Sequence, residues 1–250
     1  VTVLSVNLNK VALLRNARQG DIPSVVQAAT ACIDAGAGGI TVHPRPDLRH
    51  IVPRDVRDLA AAIDVELNIE GNPFSPADGD YPGYMALVRE VRPAQATLVP
   101  DSVEQLTSDH GWAVAASAER LRPVIDELRG LGCRVSLFID PGSDELDLVR
   151  ELGAHRVELY TEAYARAVSA AGGSVSGEVT SVLAQYVDTA VRAQAAGLGV
   201  NAGHDLNLTN LAAFCRAVPD VLEVSIGQAL IADALHYGLP DTVRRYLACL

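Results

Sequence analysis

The sequence predicts an α/β fold, a closed (β/α)8 barrel of the TIM type with extra helices, and three observations carry that reading. Short β-branched runs alternate with longer helical patterns along the whole chain. Eight such strand–helix units can be laid out, the count that closes a parallel barrel. The competing architecture, a doubly wound open sheet, usually carries a glycine-rich turn after its first strand, and Val6–Arg18 contains no glycine. A length of 250 residues suits one such barrel, so residues 1–250 are read as a single domain, with no boundary or internal repeat.

Taken in order, Val3–Val6 is the first strand, and the loop after it holds Asn7, Asn9, Lys10, Arg15 and Arg18. Ile22–Ala35 is alanine-rich, reads as a helix and stops at Gly36. Gly39–His43 is the second strand, ended by Pro44 and Pro46 because proline cannot serve a central ladder. Pro53 opens a helix whose apolar face is Val56, Leu59, Ala60 and Ile63. Glu66–Glu70 is the third strand, Gly71–Gly83 a loop, Tyr84–Val91 a helix and Ala94–Val99 the fourth strand. The polar loop Asp101–Gly111 leads to a helix over Ala116–Leu131 and the fifth strand, Arg134–Ile139. Asp144–Leu152 is helical, and Arg156–Tyr160 is the sixth strand. A Gly/Ser stretch, Ala171–Gly177, precedes a helical run to Ala196, and Leu198–Asn201 is the seventh strand. A helix over Leu208–Ala217, the eighth strand Leu222–Ile226, and helices Ala229–Tyr237 and Leu239–Leu250 complete the chain.

Composition narrows the function. A net charge of −11 argues against a nucleic-acid or anionic-membrane surface while leaving room for a local basic pocket. No apolar run approaches the ~20 residues of a membrane span, and no signal-peptide pattern opens the sequence, so a cytoplasmic location is expected. Cys32, Cys133, Cys215 and Cys249 lie far apart without metal-ligand spacing, as core thiols of a reducing compartment would.

Barrel enzymes build their sites at the C-terminal ends of the strands. Those ends offer Asn7, Asn9 and Lys10, then His43 and Arg45, Glu70, Glu158, His204 and Gly227. The stretch Gly39–His50 is the richest, presenting two histidines and two arginines within eight residues after a buried strand. Guanidinium forks suit phosphate oxygens, and an imidazole moves protons near neutral pH. A metal site of His43, Glu70 and His204 is the weaker alternative, since Lys10 and the arginines would repel a cation. No cofactor is expected.

Two blocks, Asn7-x-Asn9-Lys10-x-Ala12-x-Leu14-Arg15-Asn16-Ala17-Arg18 and Gly39-Ile40-Thr41-Val42-His43-x-Arg45-x-Asp47-x-Arg49-His50, resemble the pyridoxine 5′-phosphate synthase family. The resemblance continues through Asn68-Ile69-Glu70, Leu98-Val99-Pro100, Val135–Asp140, Val200-Asn201-Ala202-Gly203-His204 and Ile226-Gly227, and so spans nearly the whole chain. It implies a cofactor-free ring closure of 1-deoxy-D-xylulose 5-phosphate with 3-amino-2-oxopropyl phosphate, giving pyridoxine 5′-phosphate, phosphate and water. By position it makes His43 and Glu70 proton acceptors and His204 the proton donor. It places Asn9, Lys10, Arg45, His50 and Thr107 on the deoxyxylulose phosphate, and Asn7, Arg18, Asp205, Gly227 and Gln228 on the aminoketone phosphate. It also implies a homo-oligomer, an octamer built from dimers; apolar and aromatic residues in Asn72–Tyr84 hint at contact surfaces.

The chain departs from the family pattern at three places. Asn9-Lys10 stands where many members have Asp-His, as in one branch of the family; Lys10 supplies a cation but no imidazole. Asp205 stands where glycine is frequent, and its carboxylate would oppose a phosphate unless it points away. Gln228 stands where histidine is common, with an amide that can still donate.

Plainer roles compete for several residues. Glu70 would serve as a structural ion-pair partner of Arg45, and Glu158 as a second structural carboxylate. His110, His155 and His236 are read as surface or packing residues, and Trp112, Tyr160 and Tyr164 as core or subunit contacts. Two other functions fit part of the pattern: a barrel aldolase or epimerase on another sugar phosphate, with Lys10 as Schiff-base candidate, and a silent phosphate-binding protein.

Overall fold

The computed structural model describes residues 1–18, 20–173 and 176–250, in which eight strands close into a parallel barrel in chain order. They are β1 (Val3–Asn7), β2 (Gly39–Val42), β3 (Glu66–Gly71), β4 (Gln95–Leu98), β5 (Arg134–Ile139), β6 (Arg156–Tyr160), β7 (Gly199–Gly203) and β8 (Val221–Ile226). The seam closes where β1 pairs with β8, Ser5 opposite Ser225 and Val6 opposite Ile226. The helices are α1 (Asn9–Asn16), α2 (Val25–Asp34), α3 (Pro53–Ala62), α4 (Tyr84–Val91), α5 (Val114–Gly130) and α6 (Leu146–Glu151). They continue with α7 (Glu162–Ala170), α8 (Gly177–Ala195), α9 (Leu211–Ala217), α10 (Gln228–Tyr237) and α11 (Leu239–Leu247). Among the described residues no helix is long and apolar enough to cross a membrane.

The strands alternate between two interiors, as a period of two demands. Val6, Ile40, Ile69, Ala96, Leu137, Val157, Val200 and Val224 are fully buried in the apolar core that takes in the helices. Each such aliphatic burial contributes about 1.5–3 kcal/mol. The alternate positions carry Ser5, Thr41, Asn68, Gln95, Thr97, Ser136, Glu158, Asn201, Glu223 and Ser225, all buried. Gln95 on β4 donates to Glu223 on β8 at 3.3 Å, a bond between strands that are not neighbours, so these positions face the lumen. Arg156 adds bonds to Asn201 at 3.0 Å and to Glu223 at 3.2 Å, and Thr97 donates to Asn68 at 3.0 Å. Barrel lumens are usually filled by branched apolar side chains, whereas this one is a hydrogen-bonded polar network.

The helix ends follow local chemistry. Ser24 caps α2 by accepting from the Gln27 N–H at 3.3 Å, and Val25, Ala28, Ala29 and Cys32 form its buried stripe. Glu145 accepts from the N–H groups of Val114 and Ala115 at 2.6 and 3.0 Å and so closes the start of α5. Two segments differ from the expectations. Residues after β1 form α1 rather than a loop, and α7 fills the stretch between β6 and the Gly/Ser segment, of which Ser174 and Val175 lie outside the described residues. Of the cysteines, all free, Cys32 and Cys133 are buried, while Cys215 and Cys249 are only half-buried.

Candidate active site

A cavity of about 300 Å³ opens at the C-terminal end of the barrel. Its wall includes Asn7, Asn9, Lys10, His43, Arg45, His50, Glu70, Thr107, His204, Asp205, Gly227 and Gln228, twelve of the thirteen residues singled out in the sequence. Arg18 is the exception. Helix α1 rises roughly 12 Å away from the strand end before it, and Arg18 lies exposed beyond its last turn, outside the cavity wall.

The β2 loop is fixed from α1. Arg15, buried, pairs with Asp55 at the start of α3, and its other amine reaches the His50 carbonyl at 3.3 Å. The Asn16 amide donates to the carbonyls of Arg49 and His50 at 3.1 and 2.8 Å. His50 itself accepts the Ile51 N–H on Nδ1 at 2.9 Å, which leaves Nε2 as its donor. Burial, with Arg45, Arg49 and Lys10 nearby, pushes the His50 pKa down to about 3, so the ring is a neutral donor. Burial first, then Arg49 and Arg45, lowers the pKa of Lys10.

His43 ends β2. Asn9 Oδ1 accepts its backbone N–H at 2.9 Å, and Asn7 Oδ1 accepts the Asn9 N–H at 3.0 Å. An acceptor is needed at position 9, and asparagine supplies it as well as aspartate would. Glu70 on β3 lies 3.7 Å from His43 Nδ1 and accepts from Asn7 Nδ2 at 3.3 Å. The ion pair of Glu70 with Arg45 weighed above does not form. Arg45 instead pairs with Asp101, which also accepts from Ser108 at 2.7 Å; both charges are buried.

Across the mouth, His204 follows β7 with φ +89°, a region left-handed enough to favour glycine. Its Nε2 lies 2.5 Å from Thr107 Oγ1, and its Nδ1 lies 2.6 Å from Asp205. Gly203, just before it, cannot carry a side chain: a Cβ there would stand 2.7 Å from both Glu158 Oε1 and the Ser225 carbonyl. At the barrel seam a Cβ on Gly227 would meet Asn7 at 3.1 Å, so the start of α10 packs directly on the end of β1.

Glu158 proves to be part of the wall; it is 3% exposed, and its Oε2 has no hydrogen-bond partner among the described residues. Burial, then Glu70 and Glu223, raises its pKa well above its ordinary value. Ser108, Ser225, Phe138, Val99 and Leu106 also line the cavity and were not singled out in the sequence. Ser225 was recoverable, because it shares the inward register of Glu223; the others depend on loop geometry. Trp112 donates to the Leu98 carbonyl at 2.9 Å, and His155 accepts the Val135 N–H at 3.0 Å, in keeping with their packing roles.

No group of three or more His, Cys, Asp or Glu able to hold a metal ion occurs among the described residues, so His43, Glu70 and His204 do not form a metal cage. Two imidazoles and two carboxyls beside Lys10, Arg45 and a helix start can move protons on an anionic substrate. Fold and site together define a (β/α)8-barrel enzyme with an acid–base centre. A family model described as Pyridoxal phosphate biosynthesis protein PdxJ matches residues 4–250. Proteins named pyridoxine 5′-phosphate synthase, from Xanthomonas campestris pv. campestris (strain B100) and Xylella fastidiosa (strain 9a5c), are each 56% identical over 252 residues. The alignments cover 100% of this chain and 96% and 95% of those proteins. The chain belongs to this family.

In shape it is similar to a solved structure from Aquifex aeolicus VF5, with a TM-score of 0.60, 13% identity, and 100% and 92% of the two chains covered. Monomers generated from the dimeric phosphoribosylanthranilate isomerase of Thermotoga maritima give a TM-score of 0.57 at 12% identity, covering 100% and 98%. Both likenesses concern the fold alone.

Proposed function

We propose that this chain is a pyridoxine 5′-phosphate synthase of vitamin B6 biosynthesis, joining 1-deoxy-D-xylulose 5-phosphate to 3-amino-2-oxopropyl phosphate with loss of phosphate and water. The observation that carries the reading is the convergence of His43, Glu70 and His204 on one cavity that also holds Lys10, Arg45 and His50. Full-length similarity to enzymes of that name supports it.

Imine formation, dehydration and an aldol-type closure each move protons on and off carbon and oxygen, so the site needs acceptors and a donor near neutrality. In this reading neutral His43 accepts a proton directly, Glu70 accepts once it has released the proton it carries at neutral pH, and His204 donates from Nε2. Lys10 and Arg45 hold the deoxyxylulose phosphate with the neutral donors Asn9, His50 and Thr107. Asn7, Gly227 and Gln228 hold the aminoketone phosphate, the first backbone N–H groups of α10 supplying donors without charge. Asp205 lines that side, but its own N–H is already given to Thr161 Oγ1 at 3.2 Å. The active form is one domain over residues 1–250, cytoplasmic and homo-oligomeric; light scattering giving a monomer at micromolar concentration would count against the last point.

The test is product analysis by mass. Purified protein mixed with both phosphates is expected to release pyridoxine 5′-phosphate and inorganic phosphate. Conversion of either phosphate alone, with no ring product from the mixture, would favour the aldolase or epimerase reading instead.

A further inference from the structure

The geometry around the β7 turn points to Asp205 as a positioning residue: we propose that its carboxylate holds the His204 imidazole in one tautomer and one orientation for proton donation. This rests on the reading of His204 as the proton donor.

The Asp205 backbone is held from both sides. Its N–H donates to Thr161 Oγ1 at 3.2 Å, and its carbonyl accepts from Asn210 Nδ2 at 3.3 Å. The two partners are buried, and each is anchored in turn. Thr161 donates to the Gly203 carbonyl at 2.6 Å, and Asn210 Oδ1 accepts the Asn207 N–H at 2.7 Å. The turn therefore has little freedom, and it sends the Asp205 side chain back onto the preceding residue. Its Oδ2 ends 2.6 Å from His204 Nδ1.

An ionised carboxylate only accepts, so this contact places a proton on Nδ1 and leaves Nε2 as the reacting nitrogen. Nε2 is the atom that faces Thr107 across the cavity mouth. The edge-to-face contact with Tyr160, at 5.2 Å between ring centres, fixes the remaining rotation of the imidazole. Carboxylates orient histidines in the same way in hydrolytic triads and behind metal ligands. The arrangement also resolves the conflict of placing an anion beside a phosphate site. Asp205 spends its charge on the imidazole, whose Nδ1 proton it holds whether or not Nε2 has given up its own.

The test uses the purified enzyme with Asp205→Asn, Asp205→Glu, Asp205→Gly and His204→Gln. Asp205→Asn is expected to lower kcat by about 10–100-fold, the usual cost of removing a carboxylate behind a working histidine, with KM for both phosphates little changed. Asp205→Glu, which keeps the acceptor, should recover part of the loss. If Asp205→Asn fails to fold, Asp205→Gly answers the same question by removing the carboxylate alone.

A wild-type kcat in Asp205→Asn, or an effect confined to KM, would overturn the proposal while leaving His204 in place if His204→Gln is inactive. Full turnover by His204→Gln would instead remove the donor reading, and the proposal with it.

Discussion

Glu70 and His43 face each other across 3.7 Å in a site where burial disfavours charge on both. Burial, reinforced by Asp101 and opposed by Arg45, raises the Glu70 pKa to about 8. Burial, together with Arg45 and His50, pulls His43 well below its ordinary value. At neutral pH the pair thus carries one proton, on the carboxyl, and His43 is a free base. Two groups whose environments push them in opposite directions are what a sequence of proton transfers requires.

Glu70→Gln keeps the shape and removes the titration. Turnover is expected to fall by about 10²–10⁴-fold with folding retained. The fold holds Glu70 in its protonated form, so this group's contribution to stability is complete below pH ~4.5. It is lost as pH rises through about 8. Denaturant midpoints measured from pH 5 to 9 should therefore decline more steeply in the wild type than in Glu70→Gln. Near-normal turnover with a lowered midpoint would make Glu70 a structural residue only.

Arg45→Ala should weaken the deoxyxylulose phosphate more than the aminoketone, by roughly one to two decades, as a charge-assisted contact is worth about 1.5–3 kcal/mol. It also strands buried Asp101, a loss of about 3–5 kcal/mol in stability. Combining it with Asp101→Ala should restore much of the stability and none of the affinity. Separate titrations of the two phosphates check the first part, and equal losses would place Arg45 at the other phosphate.

Lys10 is partly buried beside Arg45 and Arg49, which lowers its pKa and would suit a Schiff base in an aldolase. The synthase reading assigns it only a charge. Borohydride added during turnover, followed by peptide mass mapping, is expected to leave Lys10 unmodified; a reduced adduct on Lys10 would favour the aldolase.

Prolonged dialysis against EDTA is expected to leave turnover unchanged, since the positive charges of Lys10, Arg45 and Arg49 lie beside the His43–Glu70 pair and oppose a cation there. Loss of activity restored by a divalent ion would contradict this.

Much of the barrel was legible because β-branched strands and proline-terminated ends leave strong local signals. Helix α1 was not, and its side chains explain why. Leu13 and Leu14 are exposed while Arg15, in an ion pair, joins Val11 and Ala12 on the buried face, so leucines do not mark that face. Strand β7 runs past its expected end at Asn201 to Gly203, a position where any side chain would collide with Glu158 and Ser225, a constraint that no propensity records. Strand ends name Asn7, Asn9, Lys10, His43, Arg45, Glu70, Glu158, His204 and Gly227, and the family resemblance adds His50, Thr107, Asp205 and Gln228; neither names their partners. That Arg45 would choose Asp101 over Glu70, and that Asp205 would turn to His204, depends on loop paths set by contacts 56 residues away in one case and one residue away in the other.

The seam between β1 and β8 gives the molecule a schedule. Asn7 and Gly227 lie side by side across it, so the mouth of the cavity joins the end of the first strand to the end of the last. At about 5–20 residues per second a ribosome needs on the order of ten seconds to a minute to pass from β1 to β8. Throughout that interval β1 has no partner on one edge, and the polar lumen, whose Gln95 and Arg156 wait for Glu223, stands open to water. Closure of the barrel, and the hydrogen bonds of Gln95 and Arg156 to Glu223, therefore wait on β8, the last strand in the chain.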